Sequence, residues 1–144
     1  MAIKRTSHGV YDTTYHLVWA PKYRRWIVRK DVRRRAAELF REIADDFGFD
    51  INEMEVAKDH VHILLNFPPK YSISKVVGIL KSISTSRLWR EFPELKQGRN
   101  KPQGLWEDGY FARTVGDQVT AEVVKQYIRY HQHAERDGSQ LDLF

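Results

Sequence analysis

Phe49-Asp50-Ile51-Asn52-Glu53-Met54-Glu55-Val56 is followed, after Ala57-Lys58, by Asp59-His60-Val61-His62-Ile63-Leu64-Leu65-Asn66-Phe67, and Pro68-Pro69 ends the run. The first stretch alternates apolar and polar side chains, and the second is almost continuously apolar, so both read as β-strands. A connection as short as Ala57-Lys58-Asp59 leaves them no choice but to pair antiparallel. Side chains alternate faces along a strand, so His60 and His62 point the same way and can offer two imidazoles to one divalent cation. A hydrogen-bonded histidine pair at a strand end is the other reading of so short a motif.

Working outward, Tyr15-His16-Leu17-Val18-Trp19 is aromatic and β-branched and stops near Pro21, which predicts an earlier strand. Asp31 is a candidate N-cap, and Val32, Ala36, Leu39, Phe40, Ile43 and Phe47 fall on one helical stripe closed by Gly48. Ser72 can cap a second helix carrying Ile73, Val76, Val77, Leu80, Ile83 and Leu88 before Pro93. Lys96 to Gly104 is polar and reads as a loop, Leu105-Trp106 with Tyr110-Phe111 as a short last strand or hairpin, and Val119 to His133 as a final helix. The order strand, helix, strand, strand, helix, strand, helix describes a ferredoxin-like (RRM-like) α+β fold. It has an antiparallel sheet with helices on one face and one extra C-terminal helix.

The 144 residues show no composition break, linker or repeat, which predicts a single domain over 1–144. Lys and Arg number 24 against 19 Asp and Glu, giving a formal net charge of +5, a balance that leans towards a polyanionic partner. Cysteine is absent, so a disulfide framework and a thiolate metal site are both excluded, and any metal must be held by imidazole, carboxylate or amide groups. Nowhere does an apolar run approach the roughly 20 residues needed to cross a bilayer, and no apolar stretch follows Lys4 and Arg5, so a cytoplasmic protein with no membrane partner is expected.

Lys22, Arg24, Arg25, Arg29, Arg33 and Arg34 are interleaved with Tyr23 and Trp26. Cations for phosphates and flat rings for bases are what a single-stranded nucleic acid needs, although a solvated helix face explains part of the same pattern. On the last helix Tyr127 and His131 stand four residues apart, one turn along one face, close enough for a phenol and an imidazole to serve one phosphate. Tyr130 is a rival nucleophile that periodicity alone does not separate from Tyr127. His8, His16 and His133 have no partner at useful spacing and read as ordinary surface or core histidines.

Tyr15-His16-Leu17-Val18-Trp19 with Lys22-Tyr23-Arg24, Asp59 to Leu65, Leu80-Lys81, Glu91 to Lys96, Leu105-Trp106, Gly109-Tyr110-Phe111, Thr114-Val115-Gly116 and Tyr127-Ile128 together span nearly the whole chain. In this order they resemble the single-tyrosine transposases of the smallest bacterial and archaeal insertion sequences, the histidine-hydrophobic-histidine (HUH) enzymes of the IS200/IS605 group. The resemblance implies that His60 and His62 bind magnesium or manganese, that Tyr127 is the nucleophile, and that its helix covers about residues 117–133. The family's third metal ligand is usually a glutamine four residues after the tyrosine, where this chain has His131, with Gln132 one step on. At about 100° per helical residue His131 stays near the column of Tyr127 and Gln132 leaves it, so His131 takes the role and Gln132 stands second.

By the same resemblance the chain is expected to cut and rejoin single-stranded DNA at hairpin-marked element ends through a 5′-phosphotyrosine. It is expected to work as a homodimer whose active sites are shared between subunits, with no nucleotide cofactor. Three other readings share parts of the pattern: a domesticated enzyme acting on repeated palindromic sequences, a single-stranded nucleic-acid binding module without catalysis, and a replication-initiator nuclease. The last normally belongs to a longer protein.

Overall fold

In the computed structural model the described residues are 4–5, 10–11, 14–22, 29–96, 104–114 and 128–129. They form β1 (Lys4–Arg5), β2 (Val10–Tyr11), β3 (Thr14–Trp19), α1 (Lys30–Phe47), β4 (Asp50–Val56), β5 (Val61–Asn66), α2 (Ile73–Glu91), a 3₁₀ turn (Pro93–Lys96) and β6 (Phe111–Thr114). β1 and β2 make a small antiparallel pair of their own, while the main sheet has the order β4-β5-β3-β6, antiparallel throughout. This is the expected α+β sheet with both helices on one face. Of the expected last helix only Ile128 and Arg129 are described, and both are helical.

The sheet explains an irregularity in the sequence. Ile51 and Met54 are three apart, so on a regular strand they would face opposite sides. The register shifts between Ile51 and Glu53, and this bulge lets Ile51, Met54 and Val56 all pack on the core while Glu53 and Glu55 face the other way. Two further differences from expectation are local. The helix α1 begins one residue before Asp31, with Arg29 at the N-cap and no side-chain cap. Asp31 sits inside the first turn, where its carboxylate accepts from the Val32 N–H and from the Arg29 guanidinium. The last strand is Phe111–Thr114, and Leu105-Trp106 is buried without being a strand. Ser72 does cap α2, its hydroxyl accepting from the Lys75 N–H at 3.1 Å.

One face of the sheet and the two helices enclose the core. Leu17 and Trp19 of β3 meet Ile63 and Val61 of β5, and all four are fully buried with Ala36, Leu39 and Phe40 of α1 and Val76, Leu80 and Leu88 of α2. Helix α1 ends at Gly48, whose φ of +75° suits glycine, and the Phe49 N–H closes the end on the Ala44 carbonyl. Phe49 then leads the chain into rings of Phe47, Phe67 and Tyr71. Arg35 of α1 binds Glu91 of α2 as well as Glu38 and Glu42, and Arg29 reaches Glu94 in the 3₁₀ turn, so two arginines tie α1 to α2 and the turn that follows it. Among the described residues no helix is long and apolar enough to cross a membrane.

Residues 104–109 are docked between the end of β3 and α2. The Lys22 N–H donates to the Leu105 carbonyl, the Glu107 N–H to the Ala20 carbonyl, and the Trp106 indole to the Ser84 hydroxyl at 3.0 Å. Lys81 supplies the clasp, its ammonium donating to the carbonyls of Glu107 and Gly109 at 2.8 and 2.6 Å. Burial pushes this lysine down to about 8, against the pull of Asp108 and Glu107. Lys81→Met keeps the stem and removes the donors, and should cost about 1–3 kcal/mol in thermal unfolding. Between pH 8 and 10.5 the unfolded chain keeps a proton that the folded one has released, so this group's contribution to stability rises with pH across that window. The stability of wild type relative to Lys81→Met should therefore climb over the same interval, and a flat difference would contradict the burial of the charge.

Candidate metal and nucleic-acid site

The site lies on the sheet face turned away from the helices. Because Leu17, Ile63 and Met54 point to the core, their neighbours His16, His62, Glu53 and Glu55 point the other way. Glu55 stands opposite His62 across the β4–β5 ladder, and Val18 stands opposite it on β3. A cavity of about 370 Å³ opens beside His62, lined also by Glu53, Met54, Glu55 and Leu64.

His60 precedes β5 in a turn closed by the Ala57 N–H on its carbonyl. Its ring is only 13% exposed, and Nδ1 lies 2.9 Å from an Asp59 carboxylate oxygen. That contact fixes the ring and leaves Nε2 as the nitrogen for an electrophile, the usual backing of a metal-bound histidine by a carboxylate. Burial first, then the charges of His16 and His60, push His62 below the ordinary histidine range, although Glu55 and Glu53 pull it back. The shift favours the neutral imidazole, the form in which a histidine binds a metal. Imidazole with carboxylate is a donor type that a divalent ion of the magnesium or manganese kind accepts, and Glu53 and Glu55 line the cavity beside His62. Among the described residues no three His, Asp or Glu side chains form a group that could hold a metal ion.

Tyr127, His131 and Gln132 lie outside the described residues, as do Tyr23, Arg24, Arg25 and Trp26. Of the remaining expected DNA contacts, Lys22 is half-buried at the end of β3, Arg33 is half-buried on α1 and Arg34 is exposed. Arg29 binds Asp31 and Glu94 and lies 5.4 Å over the Phe92 ring, so a phosphate would have to compete with two carboxylates for it. Two polar groups on this sheet face escaped the sequence reading. His16 Nδ1 lies 3.0 Å from His62 Nε2, and Arg113 of β6 pairs across from His16. The interval of 46 residues between the histidines carries no local signal, and only the β3–β5 register brings them together.

The chain matches the model of the family described as "Transposase IS200 like" over residues 9–131. It is 36% identical over 141 residues to the transposase for insertion sequence element IS200 from Salmonella typhimurium, covering 97% of this chain and 90% of that one. The ISDra2 transposase TnpA of Deinococcus radiodurans is 33% identical over 134 residues, 91% of this chain and 93% of its own. Among solved structures, a protein from Deinococcus radiodurans R1 assigned as a transposase superposes with a TM-score of 0.72 at 31% identity, covering 95% and 99% of the two chains. A REP-associated tyrosine transposase bound to a REP hairpin shares the fold, with a TM-score of 0.53 at 12% identity over 96% of this chain and 75% of that one. Sequence and fold agree over nearly the full length, and the chain belongs to the IS200-like transposase family.

Proposed function

We propose that this transposase cuts and rejoins single-stranded DNA at hairpin-marked element ends, with Tyr127 as nucleophile and His60, His62 and His131 as metal ligands. The observation that carries the reading is the half-buried His62 two residues after a His60 whose ring is braced by Asp59, with Glu53 and Glu55 lining the cavity beside His62. Magnesium or manganese bound there would supply Lewis acidity to a non-bridging phosphate oxygen. Tyr127 loses its phenolic proton, its oxygen forms the bond to phosphorus, and the bond from phosphorus to the 3′-oxygen breaks. The 3′-oxygen takes up a proton and leaves as a free hydroxyl, while the 5′-phosphate stays on the tyrosine. Attack by a 3′-hydroxyl on that phosphotyrosine reverses the step and joins strands, and because the ester bond energy is kept no nucleotide cofactor is needed.

The DNA partner is supported by the family and by the net charge of +5. We assign Lys22, Tyr23, Arg24, Arg25, Trp26, Arg33 and Arg34 to phosphate and base contacts, with Arg29 in a mainly structural role. Binding should weaken by orders of magnitude between roughly 50 and 200 mM salt if six or more phosphates are neutralised. A flat response in a salt titration would remove this arm from the interface. The same reading takes the active unit to be a homodimer with shared sites, acting in the cytoplasm where its DNA lies.

The test is a search by denaturing gel and mass spectrometry for a covalent adduct after incubation with hairpin-bearing single strands and manganese. An adduct on Tyr127, absent in Tyr127→Phe and with chelator, is the expected result. His131→Ala should lose it and Gln132→Ala should keep it, whereas equal loss in both would break the assignment of the third ligand. Tight binding with no adduct in any strand pool would favour a nucleic-acid binding module without catalysis.

A further inference from the structure

A second cavity, of about 750 Å³, lies on the helix side of the sheet, between α2 and the docked 104–109 segment, and so apart from the cavity beside His62. Its size falls in the roughly 300–1,000 Å³ range of sites that hold a small molecule. Gly78, Ser82 and Ser86 follow one another at four-residue spacing along the wall that α2 supplies, and half-buried Trp89 closes the series with exposed Arg90 next to it. Glu107 and Asp108 line the wall supplied by the docked segment. Gly78 has no packing reason to be glycine. A Cβ placed on it meets nothing within 4 Å, and glycine inside a helix is less stable than alanine, so what its absent side chain does is keep this wall open. The opposite wall is fixed in advance. The Ser84 hydroxyl holds the Trp106 indole, the Thr85 hydroxyl takes the Leu105 N–H, and the Lys81 ammonium is turned onto the carbonyls of Glu107 and Gly109.

Charge selects the ligand. Lys81 has given donors to two backbone carbonyls, and the carboxylates of Glu107 and Asp108 offset Arg90, so a phosphate finds little attraction here. The edges of a nucleobase find complements instead. Carboxylates accept from amino and imino N–H groups, a guanidinium donates to carbonyl oxygen and ring nitrogen, and an indole offers a face for stacking. Guanine combines N–H donors with adjoining O6 and N7 acceptors. We propose that this cavity holds an unpaired guanine of the single-stranded substrate, stacked against Trp89, with Arg90 and the carboxylates of Glu107 and Asp108 reading its edges. Held there, the base anchors the strand at a point outside the reaction centre. The inference rests on single-stranded DNA being the substrate.

The experiment is fluorescence anisotropy of the full chain with a short labelled oligothymidylate and with the same strand carrying one central guanine or adenine. The guanine strand should bind about five- to tenfold tighter than oligothymidylate, the scale of one well-stacked base, and the adenine strand should gain less. Gly78→Gln puts a side chain where nothing else packs, and Trp89→Leu removes the stacking face. Both should bring the guanine strand down to the oligothymidylate affinity while leaving oligothymidylate binding as in wild type, which also shows that the variants fold. No gain with guanine, an equal gain with adenine, or a guanine gain that survives either variant overturns the proposal. If wild type binds none of these strands at low salt, the reading of single-stranded DNA as substrate fails first and takes the inference with it.

Discussion

His62→Ala should abolish metal-dependent cleavage, lowering the single-turnover rate by about a thousandfold or more, the scale expected when a Lewis acid and its positioning are lost together. The fold should survive, because His62 is only half-buried, lies off the helix-packed core, and its backbone pairs with β3 and β4 on both sides regardless of side chain. Circular dichroism and melting near the wild-type temperature would separate loss of chemistry from loss of structure. The same variant tests how the site is assembled. Mixed with Tyr127→Phe, itself inactive, it should regain activity if a dimer's sites are shared, since a mixed dimer then holds one site with both the histidines and the tyrosine. Random exchange would restore about a quarter of the sites. No recovery from mixing would show that each subunit completes its own site.

What the sequence made legible follows from how local each signal is. The β4–β5 pair could be read because its alternation and its short link are both written in consecutive residues, and the same is true of the Ser72 cap. The break in alternation between Ile51 and Met54 is equally visible in the chain, yet only the register shows that a bulge resolves it. His16 was missed for the corresponding reason. Its partner is set by how β3 slides against β5, and a shift of one residue would have turned it into the core. Tyr15, His16 and Leu17 alone cannot reveal which residue lies across the ladder.

Charge was legible as a sum and not as a distribution. Asp31 looked like a cap and is instead one of two carboxylates holding Arg29, while Arg35 is shared among Glu38, Glu42 and Glu91. Arginine donates from a planar fork, so a basic run next to acidic helix faces is readily consumed by ion pairs. Leu105-Trp106 shows the same limit for apolar residues. Their hydrophobicity predicts burial, which they have, but not strand pairing, which here is an isolated Pro21–Trp106 bridge flanked by two backbone hydrogen bonds, from Lys22 to Leu105 and from Glu107 to Ala20.

Trp19→Ala should be the most destabilising single change in the described core. Trp19 is fully buried and its ring meets Phe40 and Trp106 edge-on, with centroids 5.7 and 6.0 Å away, so it joins β3, α1 and the docked 104–109 segment at one point. Emptying that volume costs about 3–5 kcal/mol, a large share of the 5–15 kcal/mol that holds an ordinary domain together. At roughly 2–4 °C per kcal/mol for a chain of this size, the melting temperature should fall by about 6–20 °C. Among the described residues the indole N–H of Trp19 has no acceptor, so Trp19→Phe gives up volume without orphaning a partner. It should cost well under half as much as alanine. Trp106→Phe removes a ring of the same size but breaks the bond to Ser84, leaving a buried hydroxyl with only its contact to the Lys81 carbonyl. That substitution should therefore cost more than Trp19→Phe, and the reverse order in thermal melts would show that ring packing outweighs the hydrogen bond at this junction.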